Sequence, residues 1–146
     1  MQPRIIEGDW ASLAPRARPL RIEVFVEEQG VPPELEWDEH DAISRHFLAL
    51  APDETVIGTG RLLPDGKVGR MAVARAWRGR GVGSALLEAI VDAARRDGHE
   101  ALVLAAQLHA LPFYANLGFE AFGEPFDEAG LPHRMMRRRL ARRPAG

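Results

Sequence analysis

The run Val68-Gly69-Arg70-Met71-Ala72-Val73-Ala74-Arg75-Ala76-Trp77-Arg78-Gly79-Arg80-Gly81-Val82-Gly83-Ser84 decides how this chain reads. It opens as a strand, Val68–Val73, and ends where Val82, Leu86, Ile90 and Ala93 or Ala94 start one apolar helical stripe. A helix start carries unpaired backbone N–H groups and the positive end of the helix dipole. Glycines at 79, 81 and 83 let that backbone approach an anion with no Cβ in the way. Arg78 and Arg80 add charge that can pair with phosphate oxygens. The combination implies a pyrophosphate cradle, against the plainer alternative of a glycine-rich turn that only lets helix and strand pack closely. Two other phosphate loops fit less well. A Walker A loop needs a lysine before its Ser or Thr, and here Gly83 precedes Ser84. A dinucleotide fingerprint needs G-x-G-x-x-G, not alternate glycines.

Working outward, Ile43–Leu50, Val56–Leu63 and Val68–Val73 are strand-like runs joined by Ala51-Pro52-Asp53-Glu54 and Pro64-Asp65-Gly66-Lys67, which predicts an antiparallel meander. Before them, Arg4–Glu7 reads as a strand and Asp9 as a helix cap. Pro15 and Pro19 lack donor N–H groups, so a broken or late-starting helix ending near Val26 is expected. Gln29-Gly30-Val31-Pro32-Pro33 stops it, and the stretch to Asp41 reads as loop or short helix. After the loop, Gly81–Gly98 is the clearest helix, and Ala101–Ala105 a fully apolar strand expected to be buried on both faces. Leu108–Leu117 reads as a helix, and Phe119–Gly123 and His133–Leu140 as closing strands around a Pro/Gly-bearing loop, with Met135 and Leu140 as core contacts. The fold class is α/β (α+β): a mixed, mostly antiparallel sheet of six to seven strands flanked by helices.

A chain of 146 residues without repeat or linker is read as a single domain over 1–146. It contains no cysteine, which removes disulfides, thiolate metal sites and a catalytic thiol. The formal charge of −2 gives no bulk attraction to nucleic acid or anionic membrane, and no apolar run approaches a bilayer span. No export signal is legible after Met1, so a cytoplasmic protein is expected. Six arginines crowd Arg134–Arg143, and a nucleic-acid arm there is disfavoured by the acidic balance elsewhere. No histidine or carboxylate spacing argues for a metal.

Arg78-x-x-Gly81-x-Gly83 after a strand and opening a helix resembles the acyl-CoA loop, Q/R-x-x-G-x-G/A, of the GNAT N-acyltransferase superfamily. Ala110-Leu111-Pro112-Phe113-Tyr114-Ala115-Asn116-Leu117-Gly118-Phe119 resembles its second block, F-Y followed by x-x-L-G-F. The likeness runs from about Ile43 to Leu140, and Val24-Phe25-Val26-x-Glu28-Gln29 with His133-x-x-Met136 looks like a small bacterial branch with largely unassigned substrates. The resemblance implies two splayed parallel central strands, Val68–Val73 and Ala101–Ala105, with acetyl-CoA as cosubstrate between them. It implies main-chain contacts from Met71, Ala72 and Val73 and a pyrophosphate held by Arg78, Gly79, Arg80, Gly81, Val82, Gly83 and Ser84. Gln107 and Phe113 would line the same opening.

By resemblance Tyr114, the one tyrosine, is the general acid that protonates the CoA thiolate; otherwise it is a helix-face core residue. With reference values of ~10 and ~8.5 the transfer is uphill by roughly 2 kcal/mol. Candidate bases for the amine are Glu28 and His133, with His109 and Gln107 able to line the cleft. His40, His46 and His99 read as structural or exposed. Eight acids and no Lys or Arg between Ile22 and Ser44 would draw a cationic acceptor, a small-molecule or peptide primary amine. The expected activity is acetyl transfer to that amine by direct attack, with a non-catalytic acyl-CoA-binding module as the alternative and a monomer or homodimer as the assembly.

Overall fold

The computed structural model describes residues 2–140, so Arg142 and Arg143 of the arginine-rich end lie outside the described residues. Seven strands form one sheet: β1 (Arg4–Gly8), β2 (Arg45–Leu50), β3 (Val56–Leu62), β4 (Lys67–Val73), β5 (Ala101–Gln107), β6 (Glu120–Glu128) and β7 (Leu131–Arg139). Their order across the sheet is β1-β2-β3-β4-β5-β7-β6. Every neighbouring pair is antiparallel except β4 with β5. Four α-helices connect or cover it: α1 (Trp10–Arg21), α2 (Pro33–Glu36), α3 (Val82–Arg96) and α4 (Leu111–Asn116). The parallel pair follows from connectivity, because a strand reached through a long helical crossover can return in the same direction.

The larger core lies between the sheet and α3. Val82, Leu86, Leu87, Ile90, Val91, Ala93 and Ala94 bury the expected stripe against Phe47, Ile57, Leu102, Leu104 and Met136. On the other face Leu13 and Ala17 of α1 pack on Leu48 and Leu50. At roughly 25 cal/mol per Å² of apolar surface, each fully buried leucine contributes on the order of 1.5–3 kcal/mol relative to exposure.

Four local expectations are corrected. The proline-bearing helix is not broken: α1 runs through Pro15 and Pro19 and continues as a π-helix over Ile22–Glu28. Both prolines lie on the exposed face, so the carbonyls they leave unpaired, those of Ala11 and Pro15, face water, while Leu13, Ala17, Leu20 and Val24 are buried. Asp9 caps the helix as expected, accepting from Ser12 N at 2.8 Å. β5 is buried on one face only: Leu102, Leu104 and Ala106 are covered, and Ala101, Val103 and Ala105 on the other face are half-buried. Met136, not Met135, enters the core, since the register sets Met136 opposite Leu104. The closing loop shrinks to Ala129-Gly130, both at positive φ, which suits a tight two-residue hairpin turn between β6 and β7. Pro125 falls within the break in register between Phe122 and Phe126, where the ladder does not need its missing donor.

Candidate active site in the opening between β4 and β5

β4 and β5 pair only at Lys67 with Val103 and Val68 with Leu104. Beyond that point they part. In the β3–β4 ladder Arg61 faces Gly69 and Thr59 faces Ala72, so Arg70 and Met71 together oppose the single residue Gly60. This bulge bends β4 away from β5. Arg70 sits there at φ +50°, a left-handed conformation that costs a non-glycine residue about 1–3 kcal/mol. Its guanidinium holds it: Nε donates to Glu36 O at 2.8 Å, and Nη2 donates to the Asp38 carboxylate at 3.2 Å.

Ala74 N donates to Ile57 O at 2.9 Å. Antiparallel alternation therefore turns the main-chain groups of Ala72 towards β3 and those of Met71 and Val73 towards the opening. Ala72 is thus turned away from the place where a ligand contact was expected, and its side chain packs with Leu20 and Val24. Arg78 Nε donates to Val73 O at 3.0 Å, leaving the Val73 N–H pointing into the gap.

The glycine loop joins the end of β4 to α3. Gly79 and Gly81 adopt φ +75° and +83°, and space for a Cβ at either is open. No side chain caps α3, so the first-turn amides of Val82, Gly83 and Ser84 have no side-chain acceptor. This is the geometry an anion fills. Gly83 serves close packing instead: a Cβ there would lie 3.1 Å from Phe113 Cζ. Amides without a side-chain acceptor and close helix packing therefore coexist in one loop. Arg80 lies over the Trp77 ring at 5.2 Å, and the Arg78 guanidinium pairs with Glu28 at 2.9 Å.

A cleft of about 610 Å³ runs along the open face, and Met71, Gln107, Tyr114 and His133 line it together, with His109 beside them. Glu28 does not line it, its carboxylate being taken by Arg78, and neither do Val73, Phe113 or the 78–84 loop, Phe113 being packed against Gly83. Tyr114 packs edge-on to Phe113 and Phe119, with centroids 5.0 and 5.9 Å away. Burial pushes its phenol up to about 12. His133 is buried at the Gln107 register position, stacked on Phe126. Its Nδ1 lies 2.7 Å from Leu131 O, and because a carbonyl only accepts, Nδ1 carries the proton. In the neutral ring Nε2 is then the free base, 3.7 Å from the Glu128 carboxylate.

Sequence reading missed a second feature. Arg21, Arg61 and Arg70 pair with Glu36, Asp38 and Asp41 in a network that closes under the cleft. With Glu28 on Arg78, four of the eight acids of the 23–41 stretch are ion-paired with arginines. Of the histidines read as structural or exposed, His46 is buried with Nε2 donating to Asp41 O at 2.8 Å, and His40 is exposed and borders the cleft. Among the described residues no cluster of His, Asp or Glu is arranged to hold a metal ion, and no helix is long and apolar enough to cross a membrane.

Comparison with known proteins agrees with this geometry. Over 121 residues the chain is 39% identical to an uncharacterized N-acetyltransferase, YjcF, of Bacillus subtilis, covering 80% of this chain and 86% of that one. An acyl-CoA N-acyltransferase of Pseudomonas aeruginosa superposes with a TM-score of 0.82 at 32% identity, over 93% of this chain and 99% of that one. Escherichia coli ElaA superposes with a TM-score of 0.82 at 28% identity, over 92% and 99%. The model of the acetyltransferase (GNAT) domain matches residues 13–140, and with the splayed strands, the uncapped glycine loop and the cleft lined by Met71 and Tyr114, the chain belongs to the GNAT acyltransferases.

Proposed function

We propose that the chain is an N-acetyltransferase that moves the acetyl group of acetyl-CoA to a primary amine of a small molecule or peptide by direct attack. The observation that carries this reading is the shared cleft: Met71, Tyr114 and His133 meet where β4 and β5 have parted. The pyrophosphate lies on the first-turn amides of α3 and near Arg78 and Arg80, and the pantetheine arm pairs with the main chain of Met71 and Val73. The Val73 N–H faces the thioester carbonyl and stabilises its developing negative charge. The ammonium first gives one proton to water. The neutral nitrogen then forms a bond to the carbonyl carbon, the C–S bond breaks, and the nitrogen's second proton leaves to His133 Nε2. The sulfur takes a proton from the Tyr114 hydroxyl, and solvent returns a proton from His133 to the Tyr114 phenolate. The acceptor is cationic in solution, and its attraction rests on exposed acids such as Glu23, Glu27 and Glu34 and on Glu128 at the cleft, since the buried acids are neutralised.

Incubation with acetyl-CoA and a panel of cationic and neutral primary amines tests this, read as thiol release. The chain has no cysteine, so a thiol reagent reports CoA alone. Acetyl-CoA-dependent release with at least one amine is the expected result; saturable CoA binding without release from any amine would leave only a binding module. Replacing His133 with Gln is expected to lower kcat/KM by about a hundredfold and to abolish its acidic limb. A limb that persists in that variant would assign the base elsewhere. Replacing Gly81 with Ala puts a Cβ on a left-handed residue, at about 1–2 kcal/mol, and is expected to weaken CoA binding roughly tenfold by calorimetry.

A further inference from the structure

Glu28 and Gln29 close the π-helix of the first helical region, and each reaches a different arm of the opening. Glu28 pairs with Arg78 at 2.9 Å, and Arg78 Nε in turn holds the Val73 carbonyl on β4 at 3.0 Å. Gln29 Oε1 accepts from Gln107 Nε2, at the end of β5, at 3.0 Å. Two neighbouring residues thus span the mouth between strands that share no ladder bond there. The backbone behind them is fixed by an i+5 bond, Gln29 N to Val24 O at 3.1 Å, with Gly30 N to Val26 O and Val31 N to Phe25 O following. A π-turn widens the helix at this point, a form that recurs at functional sites. Phe25 of the same turn lines the cleft, so the segment touches both arms and the acceptor side.

We infer that Glu28 and Gln29 form a bracket that sets the gap between β4 and β5, making Glu28 a positioning residue for the transfer and not its base. The inference rests on the acetyl-CoA reading of the cleft. The bracket fixes where the Val73 N–H stands relative to Tyr114: Glu28 orients Arg78, Arg78 holds Val73 O, and Gln29 holds the opposite strand end. Loss of either tie leaves the arms free to shift, and displacement of about 1 Å from reactive alignment can cost on the order of a hundredfold in rate.

The test separates a strut from a base by comparing Glu28→Gln with Glu28→Ala. A glutamine oxygen still accepts from Arg78, but a glutamine cannot take the amine's proton. A strut predicts that E28Q keeps kcat within about threefold while E28A loses about tenfold or more, both with the wild-type pH profile. A base predicts that both fall equally and lose the acidic limb, which would overturn the inference. Gln29→Ala and Gln107→Ala are expected to match E28A, and wild-type rates in both would overturn it too. The tie itself is read in ligand-free protein as the side-chain amide resonance of Gln107. It is expected to move in Q29A; a resonance unmoved there would dismiss the bracket. Acetyl-CoA that fails to bind wild-type protein would instead refute the proposed function, whatever that resonance shows.

Discussion

Replacing Asp41 with alanine is expected to destabilise the fold by about 3–5 kcal/mol, the cost of leaving buried charge without its partner. Asp41 is about 1% exposed and touches two guanidiniums at once. Its Oδ1 accepts from Arg21 Nη1 and Arg61 Nη1, each at 2.9 Å, and its Oδ2 from Arg21 Nη2 at 3.1 Å. Arg21 is itself about 1% exposed and Arg61 about 6%, so neither can turn to water when the carboxylate goes. Three arginines against three carboxylates make the intact network neutral; the substitution leaves it with a net positive charge in a site of low polarity. For a chain of this size the loss amounts to a fall in Tm of roughly 10 °C or more, measurable by thermal denaturation. A fall of under ~2 °C would mean that the network contributes packing and not charge balance. The milder Asp41→Asn keeps an acceptor and removes only the charge, so it is expected to fall between the two.

The same network fixes a pH dependence. Burial pushes the Asp38 carboxyl up, but the hydrogen bond and charge of Arg61, with the charge of Arg70, prevail and hold it down at about 2. Asp41 is held below its usual value in the same way, burial opposing and Arg21 and Arg61 prevailing. A carboxylate lowered in the folded state contributes stability above its unfolded value of ~3.9 and loses it as pH falls through the folded value. The Tm is therefore expected to drop between about pH 4 and pH 2, and less steeply in Asp41→Ala, which has already lost part of the linkage.

The frame around this network was legible because its signals are local. The stripe of α3, the turn residues of the β2–β3–β4 meander and the glycine loop are each read from residues close together in the chain, and all three lie where the pattern puts them. The features that escaped are those set by partners far along the chain. Arg21 meets Glu36 and Asp41, and Arg61 meets Asp38, across separations of 15 to 23 residues with no spacing to mark them. A run of acids therefore looked like a free electrostatic surface when half of it is ion-paired. β7 failed by one position for a related reason: with arginines on both faces its alternation carries no sign, and only pairing with β5 selects Met136 over Met135. Within the site, Tyr114 and the loop could be quoted from motif, but the contacts that distinguish Glu28 from His133 are set by the fold. Nothing in the residues says that Arg78 will take one carboxylate and Leu131 O will fix one imidazole tautomer.

Replacing Tyr114 with phenylalanine is expected to lower kcat by about 10²–10³-fold with little change in acetyl-CoA affinity or Tm. The ring is kept, so its edge-on contacts with Phe113 and Phe119 survive, and the hydroxyl makes no hydrogen bond among the described residues whose loss would weaken the fold. What disappears, on the proposed function, is the proton donor for the departing thiolate. Burial at about 12 makes that donor weaker than a phenol in water. Against a thiol of ~8.5, complete transfer is uphill by about 3.5 units, or about 5 kcal/mol, rather than the ~2 kcal/mol of free reference values. Such a phenol acts best by donating a strong hydrogen bond to sulfur as the C–S bond breaks, with transfer completed only as negative charge accumulates beside it. Burial also keeps the group protonated: the wild-type rate should show no alkaline limb from Tyr114 below about pH 11, whereas an unperturbed phenol would impose one near 10. The pH profile and the phenylalanine variant therefore test one claim in two ways. An alkaline limb near 10 that vanishes in Tyr114→Phe would place the phenol in water, and wild-type turnover in that variant would reduce Tyr114 to a packing residue between two phenylalanines.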